Sequence, residues 1–270
     1  MRHHKKLIVY AGASIQPLSP QIKNSVDLRS PVKHGDLYRL LEAGDQATVL
    51  IVDGWFGSVD AITLTECRDY LFNGRALVGC SSMGALRAAD LWNAGMIGIG
   101  QIYTAYRTGL LRSDADVAVS LHPETFAEIT VSSVFVRAAA TLAARDCQVP
   151  HPNNVVQKAI NLANSIHFTD RTKRRLLKLF ENTPDLPSNF IKRFGIIIMD
   201  DEQNPKVVDC KEAILSLKSR YWPNTDVPAQ DTKTDVFRTN NESKLCEACS
   251  YALSNDDIFC PQCCSVSHEQ

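Results

Sequence analysis

The stretch ALVGCSSMGALRAADLW, residues 76–92, joins an apolar segment to a helix-forming segment through a tight turn. Residues 75–80 have the apolar composition of a short buried strand. Residues 82–95 carry alanines and leucines at helical spacing and stop at a glycine, which predicts a helix. A serine in such a turn, Ser81 or Ser82, can be a nucleophile, part of an anion cradle or a helix cap. The turn alone leaves these roles open.

The same alternation of strand and helix precedes this stretch. The predicted strands are residues 6–12, 48–54 and 75–80, and the predicted helices are residues 35–44, 59–74 and 82–95. Apolar strands that alternate with amphipathic helices favour a parallel sheet covered on both faces. The first part of the chain is therefore predicted to have an α/β fold.

The second half is predicted to be mainly helical. A helix is expected to start at His122-Pro123 and to run to about Asp146, with further helices near 153–167 and 170–182. Residues 194–201, FGIIIMDD, have the composition of a short strand. The predicted organisation is an α/β core over 1–150, a mainly helical extension over 151–222, a polar linker over 223–244 and a zinc-ribbon-like module over 245–270.

Composition bounds the partners and the compartment. The chain has 270 residues with 29 basic and 30 acidic side chains, a net charge of −1, which favours neither nucleic acid nor an anionic membrane surface. No apolar run approaches the roughly 18 residues that span a bilayer. The basic start is followed by an apolar segment too short for a signal peptide, so we expect a cytoplasmic protein.

The C-terminal cysteines have metal-ligand spacing. Cys246, Cys249, Cys260 and Cys263 form the pattern C-x2-C-x10-C-x2-C. Two thiolate pairs at this spacing can hold one tetrahedral Zn²⁺, and four cysteine ligands leave no open position for a substrate. The pattern predicts a structural zinc site, since a segment this short needs a metal to fold. It serves either to stabilise the chain or to dock a partner.

Chemically active residues follow the predicted strands. The carboxyl ends of parallel strands meet at one edge of a sheet, where ligands bind. The residues expected at this edge are Gly12 and Ser14 after the first strand, Asp53 and Gly54 after the second, Ser81 and Ser82 after the third, and Lys33, His34 and Asp36 in the loop before the first helix. The chain lacks the glycine patterns of dinucleotide and P-loop sites, which argues against a nucleotide-binding domain.

Ser82 is the candidate nucleophile at this edge. The main-chain N–H groups of Met83 and Gly12 are candidate donors to an oxyanion. A serine nucleophile needs a base, and Lys33 and His34 are the nearby options. A lysine acts as a base only when neutral, a form that burial or a neighbouring cation favours. The alternative is that Ser82 or Ser81 only caps the helix.

Several blocks of this sequence together resemble the TfuA family. The blocks are VYAGAS, PVKHGDLYRLL, IVDGWF, SSMGALRAAD and GMIGIGQIYTAYRTGLLRSDADVAV, within residues 6–145. The resemblance implies a partner of a YcaO protein in forming backbone thioamides on a ribosomal precursor peptide. It implies hydrolysis of a thiocarboxylated ThiS-like carrier protein, which releases sulfide, through a Ser–Lys pair that falls on Ser82 and Lys33.

Two supporting residues and one competing function complete the expectation. Asp53 and Arg87 are expected to support the site, with Arg87 paired to Asp53, orienting the carrier or forming an ordinary helix salt bridge. The alternative to a hydrolase is a non-catalytic adaptor that brings the peptide to YcaO, with the zinc module as its docking element. Cys80 is a rival nucleophile that we expect to be buried and inert.

Overall fold

The computed structural model describes residues 7–56, 60–221, 244–245 and 252–253. Its larger sheet is parallel, as predicted. The strands of this sheet are β1 Leu7–Tyr10, β2 Asp27–Arg29, β3 Thr48–Ile51, β4 Leu77–Gly79 and β5 Ile97–Gly98. Their order is β2-β1-β3-β4-β5, one of the common orders of doubly wound folds. In this order the chain changes direction across the sheet between β1 and β3, so a crevice is expected at their carboxyl ends.

Helices surround the sheet and continue beyond it. They are α1 Pro20–Lys23, α2 Asp36–Glu42, α3 Leu64–Phe72, α4 Met83–Asp90, α5 Gln101–Arg107, α6 Ser133–Asp146, α7 Pro152–Asn164, α8 Lys173–Glu181, α9 Ser188–Met199 and α10 Pro205–Tyr221. No helix within the described residues is long and apolar enough to cross a membrane.

Side chains of the strands alternate between two buried faces. In β3, Val49 and Ile51 pack with α2, α3 and α4, whereas Leu50 packs with Ile214 of α10 on the other face. This period of two follows from the pleat of a strand. Because both faces are covered at the centre of the sheet, β1, β3 and β4 have nearly continuous apolar sequences. Helix α10, near the end of the described chain, thus completes the sheet domain.

Four helices form a second core. Helices α6 to α9 bury a shared apolar cluster that extends from Val131 to Ile198. The boundary predicted between 150 and 151 falls inside this cluster, because α6 packs mainly against α7 and α9. Helix α10 then returns to the sheet, so the second half contributes to both cores.

Two predicted elements are wrong. Residues 194–201 are not a strand, since most of them lie in α9, where Phe190, Phe194, Ile197 and Ile198 share one buried helical face. The helix predicted from His122 begins at Ser133 instead. Its N-cap is Ser132, whose hydroxyl accepts the Phe135 N–H at 3.4 Å.

The segment around His122 forms a compact turn instead of a helix start. The Phe126 N–H donates to the His122 carbonyl at 2.9 Å, and Leu121 forms an antiparallel bridge with Glu128. The His-Pro-Glu signal is therefore a local turn signal, because proline serves turns as well as helix starts.

Candidate functional site

Asp53 joins the two loops at the point where the sheet changes direction. Its carboxylate accepts hydrogen bonds from the Gly12 N–H at 2.8 Å, the Ser14 N–H at 3.0 Å and the Ser14 hydroxyl at 2.6 Å. The residue is only 4 % exposed. Buried carboxylates require such donors, and three of them satisfy Asp53. Asp53 therefore fixes the loop after β1 against the end of β3.

This contact removes one predicted oxyanion donor. The Gly12 N–H was expected to face a substrate, but it is directed at Asp53 Oδ2. A carboxylate holds such a donor strongly. Gly12 and Asp53 thus form a structural support of the sheet edge.

The serine turn, residues 80–84, is held by its main chain against β3. The Ser82 N–H donates to the Cys80 carbonyl at 2.9 Å and to the Val52 carbonyl at 3.3 Å, and the Gly84 N–H also donates to Val52 at 3.2 Å. A Cβ atom on Gly84 would lie 1.8 Å from the Ile51 carbonyl oxygen. Only glycine allows α4 to start this close to the strand.

The two serines of the turn differ in their bonding. Ser81 has a φ of +64°, a backbone conformation that is uncommon outside glycine, and its hydroxyl donates to the Lys206 carbonyl at 2.7 Å. Ser82 occupies the N-cap position of α4, but its side chain makes no capping hydrogen bond. Its hydroxyl has no hydrogen-bond partner in the part of the chain that the structure describes, although the residue is only 3 % exposed. The geometry therefore does not support a helix-capping role for the Ser82 side chain.

Met83 leaves a main-chain donor beside that hydroxyl. As the first residue of α4, Met83 has no earlier carbonyl within the helix to receive its N–H. That N–H forms no backbone hydrogen bond with any described residue. A hydroxyl next to an open N–H at a helix start is an arrangement suited to attack on a carbonyl, with the developing oxyanion received by the N–H.

The loop that carries Lys33 lies at the same edge, because β2 delivers it there. Val32 forms a parallel bridge with Gly54, and its N–H donates to the Asp53 carbonyl at 2.9 Å. The sequence placed this loop correctly but missed β2, the strand that explains its position. Two of the three residues of β2 are charged, which hides an edge strand from an apolar pattern.

The Glu66 side chain holds the main chain of the loop that carries Lys33. Its buried carboxylate accepts the N–H groups of Gly35 and Leu37, each at 2.9 Å, and lies 3.1 Å from His34 Nδ1. Gly35 has a φ of +86°, which favours glycine at this position. His34 is thus tied to the loop anchor and is directed at Glu66, not at Ser82.

Lys33 lies in an open cavity of about 650 Å³. We call it the Lys33 cavity; its lining residues are Tyr10, Arg29, Ser30, Pro31, Lys33, Asp36, Arg39, Leu40, Ala43, Asp45, Trp55 and Phe126. The Lys33 side chain is exposed and forms no ion pair with a described residue. Ser82 does not line this cavity.

The structure therefore places Ser82 and Lys33 on one edge without joining them. No hydrogen bond connects their side chains, and the link between their loops runs through Gly54. A Cβ atom on Gly54 would lie 2.9 Å from both the Val32 and the Met83 side chains. The serine turn and the Lys33 loop thus meet at the space that a side chain on Gly54 would fill.

Arg87 and Cys80 have structural surroundings. Arg87 pairs with Asp90 at 3.3 Å and donates to the Ile62 carbonyl at 3.3 Å, so the alternative of a pair with Asp53 is wrong. Burial raises the pKa of the Cys80 thiol well above its usual value, which keeps it protonated. Cys80 is fully buried, as expected for an inert packing residue.

Helix α10 contacts the serine turn, and this contact was not predicted from the sequence. The Lys206 carbonyl accepts the Ser81 hydroxyl, and Lys206 Nζ pairs with Glu128 at 2.7 Å. Lys206 is 1 % exposed although it is charged. The apolar spacing of Val207, Cys210 and Ile214 was a usable signal for this helix. The burial of Lys206 could not be predicted from the sequence, because its partner Glu128 lies far away in the chain.

The predicted zinc ligands lie outside the described residues. These ligands are Cys246, Cys249, Cys260 and Cys263. Short antiparallel strands, β6 Lys244–Leu245 and β7 Ala252–Leu253, flank the first cysteine pair in sequence. Within the part of the chain that the structure describes, no group of His, Cys, Asp and Glu side chains could hold a metal ion.

The fold and this edge define a doubly wound α/β protein whose candidate site lies where β1, β3 and β4 end. Residues 53–172 match the family model described as TfuA-like protein. The match covers less than half of the chain; it includes Asp53, Ser82 and Arg87 but neither Gly12 nor Lys33. A search of curated proteins found no match. The comparison thus supports the TfuA resemblance over the segment that carries the serine turn.

Proposed function

We propose that this protein is a hydrolase that releases sulfide from a thiocarboxylated ThiS-like carrier protein. The sulfide would supply a YcaO enzyme that forms backbone thioamides on a precursor peptide; the TfuA-like family is associated with YcaO proteins. One observation carries the proposal: the Ser82 hydroxyl is not used in structural hydrogen bonding, and it lies beside the open Met83 N–H within the segment that matches this family.

The proposed reaction has two steps. The Ser82 oxygen attacks the carbonyl carbon of the thiocarboxylate, and the Met83 N–H receives the oxyanion. The C–S bond then breaks, hydrosulfide leaves, and an acyl-serine remains. Water attacks this ester, which returns the Ser82 hydroxyl and leaves an ordinary carboxylate on the carrier. Because Ser82 is nearly buried, a slender chain terminus fits this reaction better than a broad protein surface.

In this proposal Lys33 takes the proton of Ser82. Only the neutral amine can do so, and burial or neighbouring cations favour that form. Arg29 and Arg39 line the same cavity, but the Lys33 side chain is exposed. The serine is therefore the better supported member of the proposed pair.

The test is sulfide release from a thiocarboxylated ThiS-like carrier. We expect wild type to release hydrosulfide and Ser82→Ala to lose about a hundredfold or more of that rate. Ser165→Ala, which alters an exposed serine on the end of α7, is the matched control and should keep full activity. Folding of each variant is checked by circular dichroism.

Two outcomes would count against the hydrolase. The first is full activity of Ser82→Ala, which would exclude that serine as the nucleophile. The second is no release by folded wild type in the presence of carrier and YcaO. If wild type then still raised thioamidation with free sulfide, the adaptor function would explain the protein better.

We also propose that Cys246, Cys249, Cys260 and Cys263 hold one structural Zn²⁺. The support is the soft thiolate donor set and its C-x2-C-x10-C-x2-C spacing. We expect about one zinc per chain in the purified protein and its loss in Cys246→Ser. Cys147→Ser, which alters a partly buried free cysteine, is the control that should retain the metal. Protein that binds no zinc would contradict the proposal.

A further inference from the structure

We propose that the Lys33 cavity is a binding site for the carboxyl-terminal segment of a protein chain, with the charged Lys33 amine paired to the terminal carboxylate or thiocarboxylate. The inference rests on the proposed function only in taking the sulfur carrier as the natural source of that terminus. It treats Lys33 as a charged binding residue, which its exposed position suits; this is the alternative to the proton-transfer role given above, and the variants below decide between the two roles.

One of the three cations that line the cavity has no acidic partner among the described residues. Arg39 pairs with Asp36, and Arg29 donates to Asp27 at 3.1 Å and to the Tyr10 hydroxyl at 3.3 Å. Lys33 alone among these three cations has no partner within the described residues. Asp45 also lines the cavity, so the match to a ligand is local: the unpaired Lys33 ammonium can pair with the single negative charge of a chain terminus.

The rest of the cavity suits an extended peptide. Trp55 and Phe126 meet edge to face, with ring centroids 6.4 Å apart, and Pro31 adds a further apolar surface. The Asp45 carboxylate, which accepts the Ala47 N–H at 2.8 Å, keeps a second oxygen for a ligand N–H. Aromatic walls with a few polar groups are typical of pockets that bind small or extended ligands.

The main chain at Lys33 is held in place before any ligand binds. The Lys33 N–H donates to Asp36 at 2.8 Å, the His34 N–H donates to the Asp60 carbonyl at 2.7 Å, and Glu66 holds the Gly35 N–H. Such prior ordering reduces the entropy that binding costs. Because this loop and the serine turn both pack at Gly54, the Lys33 cavity and the turn that carries Ser82 lie at the same edge of the sheet.

The test separates binding from hydrolysis. A ThiS-like carrier with its ordinary carboxyl terminus is titrated into the full-length protein by calorimetry at low salt, and so is the same carrier with a terminal carboxamide. We expect wild type to bind the carboxylate form about two- to fivefold more tightly, as for an exposed ion pair. Lys33→Met should lose this preference, and Lys33→Arg should keep it.

The matched control is Lys178→Met, which removes an exposed lysine on α8 and should keep the preference. Trp55→Ala should weaken the binding of both carrier forms, because it removes part of the cavity wall and no charge. Equal affinity for the two forms in wild type, or a preference that persists in Lys33→Met, would overturn the inference. So would a wild type that binds neither form.

Sulfide release by the same variants tells the two proposals apart. A carboxylate preference that depends on Lys33, without any sulfide release, would leave the binding site standing and reject the hydrolase. Release that depends on Ser82, with no such preference, would reject the binding site alone. Arginine holds its charge and cannot serve as a base. Release by Lys33→Arg near the wild-type rate would therefore support anion binding, and its loss with binding intact would return the base role to Lys33.

Discussion

The serine turn and the Lys33 loop lie at the same edge of the sheet but are held in different ways. Main-chain packing holds the serine turn: Gly84 lies directly against Ile51, and the N–H groups of Ser82 and Gly84 share the Val52 carbonyl. Side chains hold the Lys33 loop, chiefly the buried Glu66. Among the described residues, the Ser82 hydroxyl of the first segment has no hydrogen-bond partner, and the exposed Lys33 amine of the second has no ion-pair partner.

The difference in how the two segments are held favours different roles for Ser82 and Lys33. A turn held by main-chain packing keeps a hydroxyl and an N–H in fixed relation, which is the requirement for attack and oxyanion stabilisation. An exposed charge beside an open cavity is accessible to a large partner, which is the requirement for recognition. The comparison therefore favours chemistry at Ser82 and binding at Lys33.

The largest effect is expected at the base of the serine turn. Gly84→Ala should lower the free energy of unfolding by about 4 kcal/mol or more, because its Cβ would lie 1.8 Å from a carbonyl oxygen that belongs to the sheet. Urea unfolding followed by circular dichroism measures this. Gly195→Ala is the control: its Cβ would meet Leu177 at 3.4 Å, and alanine favours helix. A mild effect of Gly84→Ala would show that the turn is not held by packing.

Glu66→Ala tests how the Lys33 loop is held. Removal of this carboxylate leaves the Gly35 and Leu37 N–H groups without their acceptor, so we expect a loss of about 2 to 4 kcal/mol in the free energy of unfolding. Glu66→Gln keeps one acceptor oxygen and should cost less. Amide hydrogen exchange should accelerate at Gly35 and Leu37 and stay unchanged in the serine turn. Faster exchange in both segments would show that they are one cooperative unit.

Asp209 offers a test of how helix α10 is held. The same helix carries Lys206, whose carbonyl accepts the Ser81 hydroxyl of the serine turn. This α10 residue accepts the N–H groups of Gln101 and Ile102, each at 3.0 Å, and burial raises its pKa to about 7. An unfolded chain releases that proton near pH 4. Between about pH 4 and 7 the folded protein therefore binds more protons, so this contribution to stability is full below pH 4 and is lost as pH rises through 7.

Unfolding experiments at pH 5 and pH 8 measure this dependence. Wild type should lose about 1 to 3 kcal/mol more than Asp209→Asn over that interval, since asparagine does not titrate. Parallel pH profiles of the two proteins would mean that Asp209 has an ordinary pKa and that α10 is not tightly closed over the sheet.

Much of the sheet edge could be predicted, because apolar runs and the residues that follow them are local signals. The three strands β1, β3 and β4 were found in this way, and Asp53 was placed correctly between them. Its partner was not predictable, since the Gly12 N–H points at Asp53 only once β1 and β3 are paired. Gly12 and Asp53 are 41 residues apart, and a local sequence pattern does not predict a contact across such a separation.

The helical half shows a different limit. Residues 194–201 are apolar enough for a strand, and only packing against α6 and α8 makes them a helix. Tertiary contacts commonly override local β propensity in this way. Lys206 was missed for a related reason: a buried lysine depends on a distant carboxylate, here Glu128.

The smallest effect is expected at Ser82 itself, and it distinguishes a nucleophile from a cap. Ser82→Ala should change the free energy of unfolding by less than about 0.5 kcal/mol, because the Ser82 hydroxyl bonds to no described residue. Thr63→Ala is the matched comparison, since the Thr63 hydroxyl caps α3 by accepting the Glu66 N–H at 3.1 Å; it should cost about 1 kcal/mol. If Ser82→Ala cost as much as Thr63→Ala, the hydroxyl would act as a cap in solution. A stable Ser82→Ala that releases no sulfide would instead separate the chemistry of this serine from any part in holding the turn.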